Sequence, residues 1–82
     1  MTQNPTATTL DALAPGRAGL VIDVVGDDRL SRRLSDLGFW TGTRIEVVRR
    51  APFGDPTQYR LQGYRIALRR SEAQRVVVEE LR

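Results

Sequence analysis

The chain has 82 residues, of which 40% are apolar and 28% charged, a composition typical of one small folded domain. It contains no cysteine and no histidine, which excludes disulfides, thiol nucleophiles and sites built on histidine. Thirteen arginines oppose ten interleaved acids for a formal net charge of +3, a weak balance for a nucleic-acid-binding protein. No apolar run is long enough to cross a membrane and no signal-peptide pattern is present, so we expect a cytoplasmic protein.

The N-terminal segment, residues 1–9, is polar and offers little to bury. We therefore expect a flexible tail there and a domain over residues 10–82, with Leu10 and Leu13 as its first core residues. Residues 18–25 are rich in β-branched side chains and are bounded by glycines, which predicts a strand.

The only helical pattern covers residues 28–37, where Asp27 or Asp28 can cap the first turn. Its apolar stripe consists of Leu30, Leu34 and Leu37, at positions i, i+4 and i+7. Gly38 stands where a left-handed residue commonly ends a helix, and Phe39 follows as its hydrophobic contact.

The remaining chain alternates short strand patterns with turns. Strands are predicted over residues 43–50, 57–62, 64–69 and 76–79, with Ile45, Val47, Tyr59, Leu61, Ile66 and Leu68 facing inward. Residues 51–56 form a loop shaped by two prolines and a glycine, and Ser71 can cap a single helical turn. The short connections favour antiparallel neighbours, so we predict a mainly β fold, a small barrel with one short inserted helix.

No set of residues predicts catalysis. A serine or threonine nucleophile would lack a histidine base, and no phosphate-binding glycine motif is present. The carboxylates that could hold a metal weakly are Asp27, Asp28, Asp55, Glu79 and Glu80, but such acids are usually solvated, and Asp27 or Asp28 suits a helix cap better. We therefore predict no enzyme, no metal site and no cofactor.

Exposed apolar groups are the best functional signal that remains. Phe39 and Trp40 are adjacent, so in a small core one of them faces outward, and Phe53 lies at the tip of a proline-bounded loop. Phe39 suits the core, whereas Trp40 and Phe53 are candidate partner contacts. Three helix arginines, Arg29, Arg32 and Arg33, form either a solvated face or a contact to an acidic partner.

Three stretches of the chain, taken together in their order and spacing, resemble those of a known protein family. They are R-L-S-D-L-G-F-W-T-G-T-R-I-E-V-V at 33–48, A-P-F-G-D-P at 51–56 and G-Y-R-I-A-L-R-R-S-E-A at 63–73. Through them the chain resembles the FeoA family, the small cytoplasmic partner of the bacterial ferrous iron transporter FeoB. The resemblance implies an SH3-like barrel and a non-catalytic module that binds FeoB, modulates iron transport and is recruited to the inner membrane by its partner.

The resemblance also implies a partner surface framed by the helix end and neighbouring loops. Carried over by position, it consists of Leu34, Leu37, Gly38 and Phe39 at the helix end and Pro52, Phe53, Gly54 and Asp55 in the loop, to which we add Trp40. Where the family commonly has a proline before the turn glycine, this chain has Thr41, so we expect a looser turn. The family's association with transition metals finds support here only in carboxylates, so we attribute it to the transport process.

Two other functions remain open from the sequence. Arginine-based charge together with Trp40, Tyr59 and Tyr64 is compatible with a nucleic-acid-binding barrel. The chain also resembles the SH3-like domains of iron-dependent repressors, although it offers no DNA-reading helix. Small barrels have open strand edges, which makes a homodimer a further expectation.

Overall fold

The computed structural model describes residues 7–81 of the chain. In chain order its elements are β1 (Ala7–Thr9), a 3-10 turn (Leu10–Ala12), β2 (Ala18–Val24), α1 (Arg29–Asp36), β3 (Arg44–Arg50), β4 (Thr57–Leu61), β5 (Tyr64–Leu68), α2 (Arg70–Ala73) and β6 (Val76–Leu81). The strands form one antiparallel sheet in the order β1-β6-β2-β3-β4-β5, so β1 and β5 are its edges. The predicted mainly β fold with a short inserted helix is confirmed. Neither helix in the described part of the chain has the length and apolarity to cross a membrane.

The core fills the inner side of this bent sheet. Its fully buried side chains include Leu10, Leu13, Val21, Leu34, Phe39, Ile45, Val47, Tyr59, Leu61, Leu68, Val76 and Val78. The predicted inward faces of β3, β4 and β5 are therefore confirmed, with Ile66 packed partly against the core. Burial also raises the pKa of the Tyr59 phenol from 10.0 to about 12, so this ring is neutral in the core at physiological pH.

The start of the domain differs from the prediction. Ala7–Thr9 pair with β6, Ala7 lying opposite Glu79, so these last three residues of the predicted tail form a strand. Backbone pairing along the edge of β6 needs no apolar side chains, which explains why the polar composition misled the prediction. Residues 1–6, the rest of that segment, lie outside the described residues.

The short helix α2 also begins differently. The N–H of Arg69 donates to the Glu72 carboxylate at 2.8 Å, and the first helical residue is Arg70. Ser71 therefore lies inside the helix, and its prediction as the cap is wrong. The acid at the third helical position reaches back to the start of the helix, which is one half of a capping box.

Candidate functional site

The N-terminus of α1 is fixed by Asp28. Its Oδ1 accepts a hydrogen bond from the Ser31 N–H at 3.2 Å, and its carboxylate forms an ion pair with Arg75. The Ser31 hydrogen bond, followed by the Arg75 guanidinium, holds the pKa of Asp28 below its usual 3.8. The predicted cap is confirmed, and this carboxylate anchors the helix to the strand that follows α2.

The C-terminus of α1 determines which of the two adjacent aromatic rings is buried and which is exposed. Gly38, with a φ of +107°, donates to the Ser35 carbonyl at 3.0 Å, and the Phe39 N–H donates to the Leu34 carbonyl at 3.1 Å. This is the paired bonding of a Schellman motif, which requires a left-handed residue and turns the chain sharply. As a result Phe39 is 1% exposed in the core and Trp40 is 54% exposed. The prediction that one of these rings faces outward is confirmed.

The turn after the helix is fastened at two points. The Trp40 indole N–H donates to the Ser35 carbonyl at 2.7 Å, and the Thr41 hydroxyl donates to the Ile22 carbonyl at 3.1 Å. The family proline would fix φ at this position, whereas Thr41 ties the turn to β2 through its side chain. The turn is therefore hydrogen-bonded both to the end of α1, through the ring of Trp40, and to β2, through Thr41.

A groove of about 440 Å³ runs between the outer face of α1 and the end of β2. It is lined by Val24, Gly26, Arg29, Ser31, Arg32, Arg33, Ser35 and Asp36. Ser35 connects the groove to Trp40, and Ile22 and Val25, which lie close in sequence to the lining residue Val24, are 37% and 49% exposed. We call this groove together with Ile22, Val25 and Trp40 the helix surface.

Sequence reasoning missed Ile22 in β2 and Val25 directly after β2 as residues of the helix surface. In the pairing of β2 with β6, Val21 lies opposite Val78 and Asp23 lies opposite Val77, so Ile22 is the extra residue of a bulge. The bulge breaks the simple alternation expected for this strand and leaves Ile22 exposed. A one-residue irregularity of this kind leaves no mark in the hydrophobic pattern.

Several residues of the predicted partner surface are not accessible. Leu34, Gly38 and Phe39 are buried and Leu37 is half-buried, so we correct the first three from contact residues to residues that shape the helix end. The Leu37 carbonyl accepts a hydrogen bond from the hydroxyl of Tyr64, which packs the helix end against the start of β5.

The predicted loop residues lie elsewhere. The helix end leads into β3 at Arg44, whereas the loop of residues 51–56 leaves β3 after Arg50. Seven residues of strand span roughly 20 Å. The structure therefore does not bring the helix end and the loop together as one surface.

The loop is ordered by hydrogen bonds although its tip is free. The Gly54 N–H donates to the Ala51 carbonyl at 2.7 Å, and Asp55 accepts the backbone N–H of Arg70 at 2.9 Å. Asp55 thus ties the loop to the start of α2. Pro52 and Phe53 are exposed, and the ring of Phe53 is 96% exposed at the tip.

The candidate metal-binding carboxylates do not converge. Asp28 caps α1, Asp55 accepts from Arg70, and Glu80 forms an ion pair with Arg17 at 2.7 Å. Over residues 7–81, no three acidic side chains are grouped in a way that could hold a metal ion. Among the described residues, these carboxylates are therefore not gathered into one cluster.

A bent antiparallel sheet of six strands with two short helices defines the class of small SH3-like β domains. Residues 8–80 match the family model described as the FeoA domain. The chain belongs to the FeoA family.

Three relatives agree with this assignment. An Fe(2+) transport protein A/Fe(2+) transporter FeoB fusion protein of Porphyromonas gingivalis is 36% identical over 70 residues, which are 85% of this chain and 8% of that protein. The NMR structure of an FeoA-like protein from Clostridium acetobutylicum has a TM-score of 0.88 and 35% identity, covering 100% of this chain and 92% of that one. The crystal structure of Stenotrophomonas maltophilia FeoA complexed with zinc is described as a prokaryotic SH3 domain protein. It has a TM-score of 0.80 and 35% identity, and the match covers 92% of this chain and 96% of that one.

Proposed function

We propose that this chain is a non-catalytic accessory module of ferrous iron uptake that binds an FeoB-type transporter at the cytoplasmic face of the membrane. The observation that supports this most is the fusion relative, in which a segment 36% identical to this chain shares one polypeptide with the transporter. Fusion holds two modules at a high effective concentration. A domain of this family on a polypeptide separate from the transporter reaches the same association only by binding.

The helix surface is the part of the molecule best suited to a protein partner. Trp40 is half exposed and its ring is already fixed by the hydrogen bond to Ser35, so little side-chain entropy is lost when a partner covers it. Val25 adds apolar area, and the groove beside it carries three arginines and one aspartate. Such a surface suits a segment of the transporter that presents an apolar side chain with an acid beside it.

The proposed action is a shift in the transporter's conformational equilibrium. A bound module changes this equilibrium only if it binds one conformation more tightly than the other. Ferrous ion is the cargo of the transporter in this mechanism. The proposed action assigns no resident metal or cofactor to this chain, and three of the five candidate carboxylates, Asp28, Asp55 and Glu80, already accept hydrogen bonds or form ion pairs within the domain.

The test is a titration of the full-length transporter, solubilised in detergent, with the fluorescently labelled chain. We expect saturable binding that the Trp40→Ala variant weakens by at least about tenfold, because buried tryptophans are frequent hot spots. Phe53→Ala is the control, since it removes an even more exposed aromatic ring at the other end of β3 and should bind like the wild-type chain. Absence of binding by the wild-type chain would overturn the proposed function. Equal binding by wild type and Trp40→Ala would remove the helix surface as the contact.

A further inference from the structure

A second bulge, in β3, places an additional arginine on the outer face of the strands β3, β4 and β5. Val47 lies opposite Tyr59 and Arg49 lies opposite Gln58, so one residue of β3 between them is unpaired. The shift turns Arg49 outward and Arg50 inward, where Arg50 donates to the Leu13 carbonyl at 2.9 Å. Arg50 thus forms a hydrogen bond on the inner side of the sheet, whereas the adjacent Arg49 lies on the outer face.

This face has a strong excess of positive charge. The outward residues of the paired strands are Glu46, Arg49, Gln58, Arg60, Arg65 and Ala67, and Arg69 directly after β5 continues their alternation; all are exposed except the half-buried Glu46. Arg60 forms an ion pair with Glu46 at 2.8 Å. Within residues 7–81, no ion-pair partner is found for Arg49, Arg65 or Arg69, and residues 1–6 contain no acid. Four arginines and one glutamate give this one face a charge equal to the formal +3 of the whole chain. We call these four arginines the cationic face.

The cationic face places two like charges opposite each other, and the ion pair of Arg60 with Glu46 offsets part of their repulsion. Arg60 and Arg65 are direct cross-strand partners, and like charges at such positions repel each other. An anionic surface laid over the strands would relieve this repulsion. The uncharged side chains between the arginines, Gln58 and Ala67, are both exposed, so the face is accessible along its length.

An apolar tip extends from the end of the same face. A groove of about 330 Å³ connects the loop to the outer strands and is lined by Arg49, Ala51, Pro52, Pro56, Gln58 and Ala67. Beyond it, Phe53 is 96% exposed on a loop that hydrogen bonds hold in shape. An exposed aromatic ring beside a group of arginines is the combination that peripheral proteins use at membrane surfaces.

The aromatic residues argue against nucleic acid as the anion. Single-stranded nucleic acids are held by bases stacked on rings within the cationic surface. Here Tyr59 is 1% exposed in the core, Tyr64 is bonded to the Leu37 carbonyl, and Trp40 belongs to the helix surface. The rings that made a nucleic-acid-binding barrel an alternative are therefore absent from the face that carries the charge.

We propose that the cationic face binds the surface of an anionic lipid bilayer, with the ring of Phe53 inserted between the headgroups. This inference goes beyond the proposed function, because it requires no transporter. It gives the domain two separate attachments, one to lipid through β3–β5 and the loop, and one to protein through the helix surface.

The test is sedimentation of the full chain with vesicles rich in phosphatidylglycerol, compared with vesicles of phosphatidylcholine alone. We expect binding to the anionic vesicles only, falling steeply as sodium chloride is added. The double variant Arg49→Gln/Arg65→Gln should weaken vesicle binding roughly 30-fold, given the typical contribution of each arginine near an anionic membrane. Phe53→Ser should reduce the binding that remains at high salt.

The matched control is the double variant Arg29→Gln/Arg32→Gln, which removes the same charge from two exposed arginines of α1 that form no ion pair among the described residues. It should bind anionic vesicles like the wild-type chain, and circular dichroism of all variants verifies that they are folded. Equal weakening by both double variants would show that net charge alone drives binding and would overturn the proposal. So would failure of the wild-type chain to bind, displacement by soluble glycerol phosphate, or preferential binding of single-stranded RNA in competition. Because the vesicles contain no protein, each of these results is independent of transporter binding.

Discussion

Trp40 and Phe53 are both exposed aromatic residues that follow a turn, yet the structure supports them in opposite ways. Trp40 is 54% exposed, and its indole N–H is bonded to the Ser35 carbonyl at 2.7 Å beside a groove of mixed charge. Phe53 is 96% exposed, its ring has no polar atom to anchor, and the nearby strands carry an excess of arginines. Exposure of an aromatic ring alone therefore does not define which kind of partner it contacts.

The support of each ring suits a different kind of surface. A ring held in one orientation fits a shaped protein site, because binding then costs little additional order. A ring that stands free at a loop tip can enter a fluid interface, where no fixed complementary shape is required. Four experiments test this contrast between the helix end and the loop and the packing on which it depends.

The largest effect is expected when the two adjacent rings of the helix end are truncated in turn. Phe39→Ala should lower the free energy of unfolding by about 3–5 kcal/mol, because it leaves a cavity in the core. A domain of this size has only about 4–12 kcal/mol in total. Trp40→Ala should cost less than about 1 kcal/mol. Urea denaturation followed by circular dichroism measures both, and equal losses would contradict the assignment of one ring to the core and one to a surface.

A smaller effect is expected from glycine substitutions in the two regions. Gly38→Ala should cost about 1–3 kcal/mol, because its φ of +107° is strained for alanine and its Cβ would lie 3.4 Å from Leu61 Cδ1. Gly54→Ala in the loop has a φ of +91° but meets no atom within 4 Å, so only the backbone strain applies. The midpoint of thermal unfolding should fall more for Gly38→Ala, and the reverse order would show that the loop is the more constrained of the two turns.

The core that lies under both regions should respond to alkaline pH. Because burial raises the pKa of Tyr59 from 10.0 to about 12, the folded state retains a proton that the unfolded state loses above pH 10. The corresponding stability is fully present below pH 10 and is lost as the pH rises through about 12. Urea midpoints measured across this range should decline for the wild-type chain and for Tyr64→Phe, but decline less for Tyr59→Phe. An identical decline in Tyr59→Phe would count against burial of this phenol.

The smallest effect is expected at the exposed N-terminus of α1. The pKa of Asp28 is held below 3.8, so its contribution is present above that pH and is lost as the pH falls through the lower value. Asp28→Asn keeps a side chain that can cap the helix but removes the charge that faces Arg75. The variant should show a weaker acid dependence of its thermal midpoint than the wild-type chain. An unchanged acid dependence would mean that other carboxylates determine it.

Much of the local structure could be predicted because it depends on neighbours in the chain. The Asp28 cap and the helix-ending Gly38 follow from spacings of three or four residues. The inward faces of β3 and β4 follow from strict alternation, which Ile45 and Tyr59 satisfy. The outward position of one of the two adjacent aromatic rings follows from the size of the core.

The candidate site was predicted only in part, because it depends on residues that are distant in the chain. Trp40 and Phe53 were identified as exposed rings, but their assignment to one surface required the two turns to meet. The strand β3 separates these turns, and the helix end instead meets Tyr64 at the start of β5.

The sequence alone was enough to predict α1, the strands from β2 to β6, the core residues of β3–β5, and the lack of cysteine and histidine chemistry. Only the tertiary structure decided which side chains share a face. Bulges at Ile22 and before Arg49 reversed the side of the sheet on which the following residues lie, and pairing with β6 made a strand of Ala7–Thr9. The physical reason is that a bulge or an edge pairing is set by the partner strand, whose register a local hydrophobic pattern does not contain.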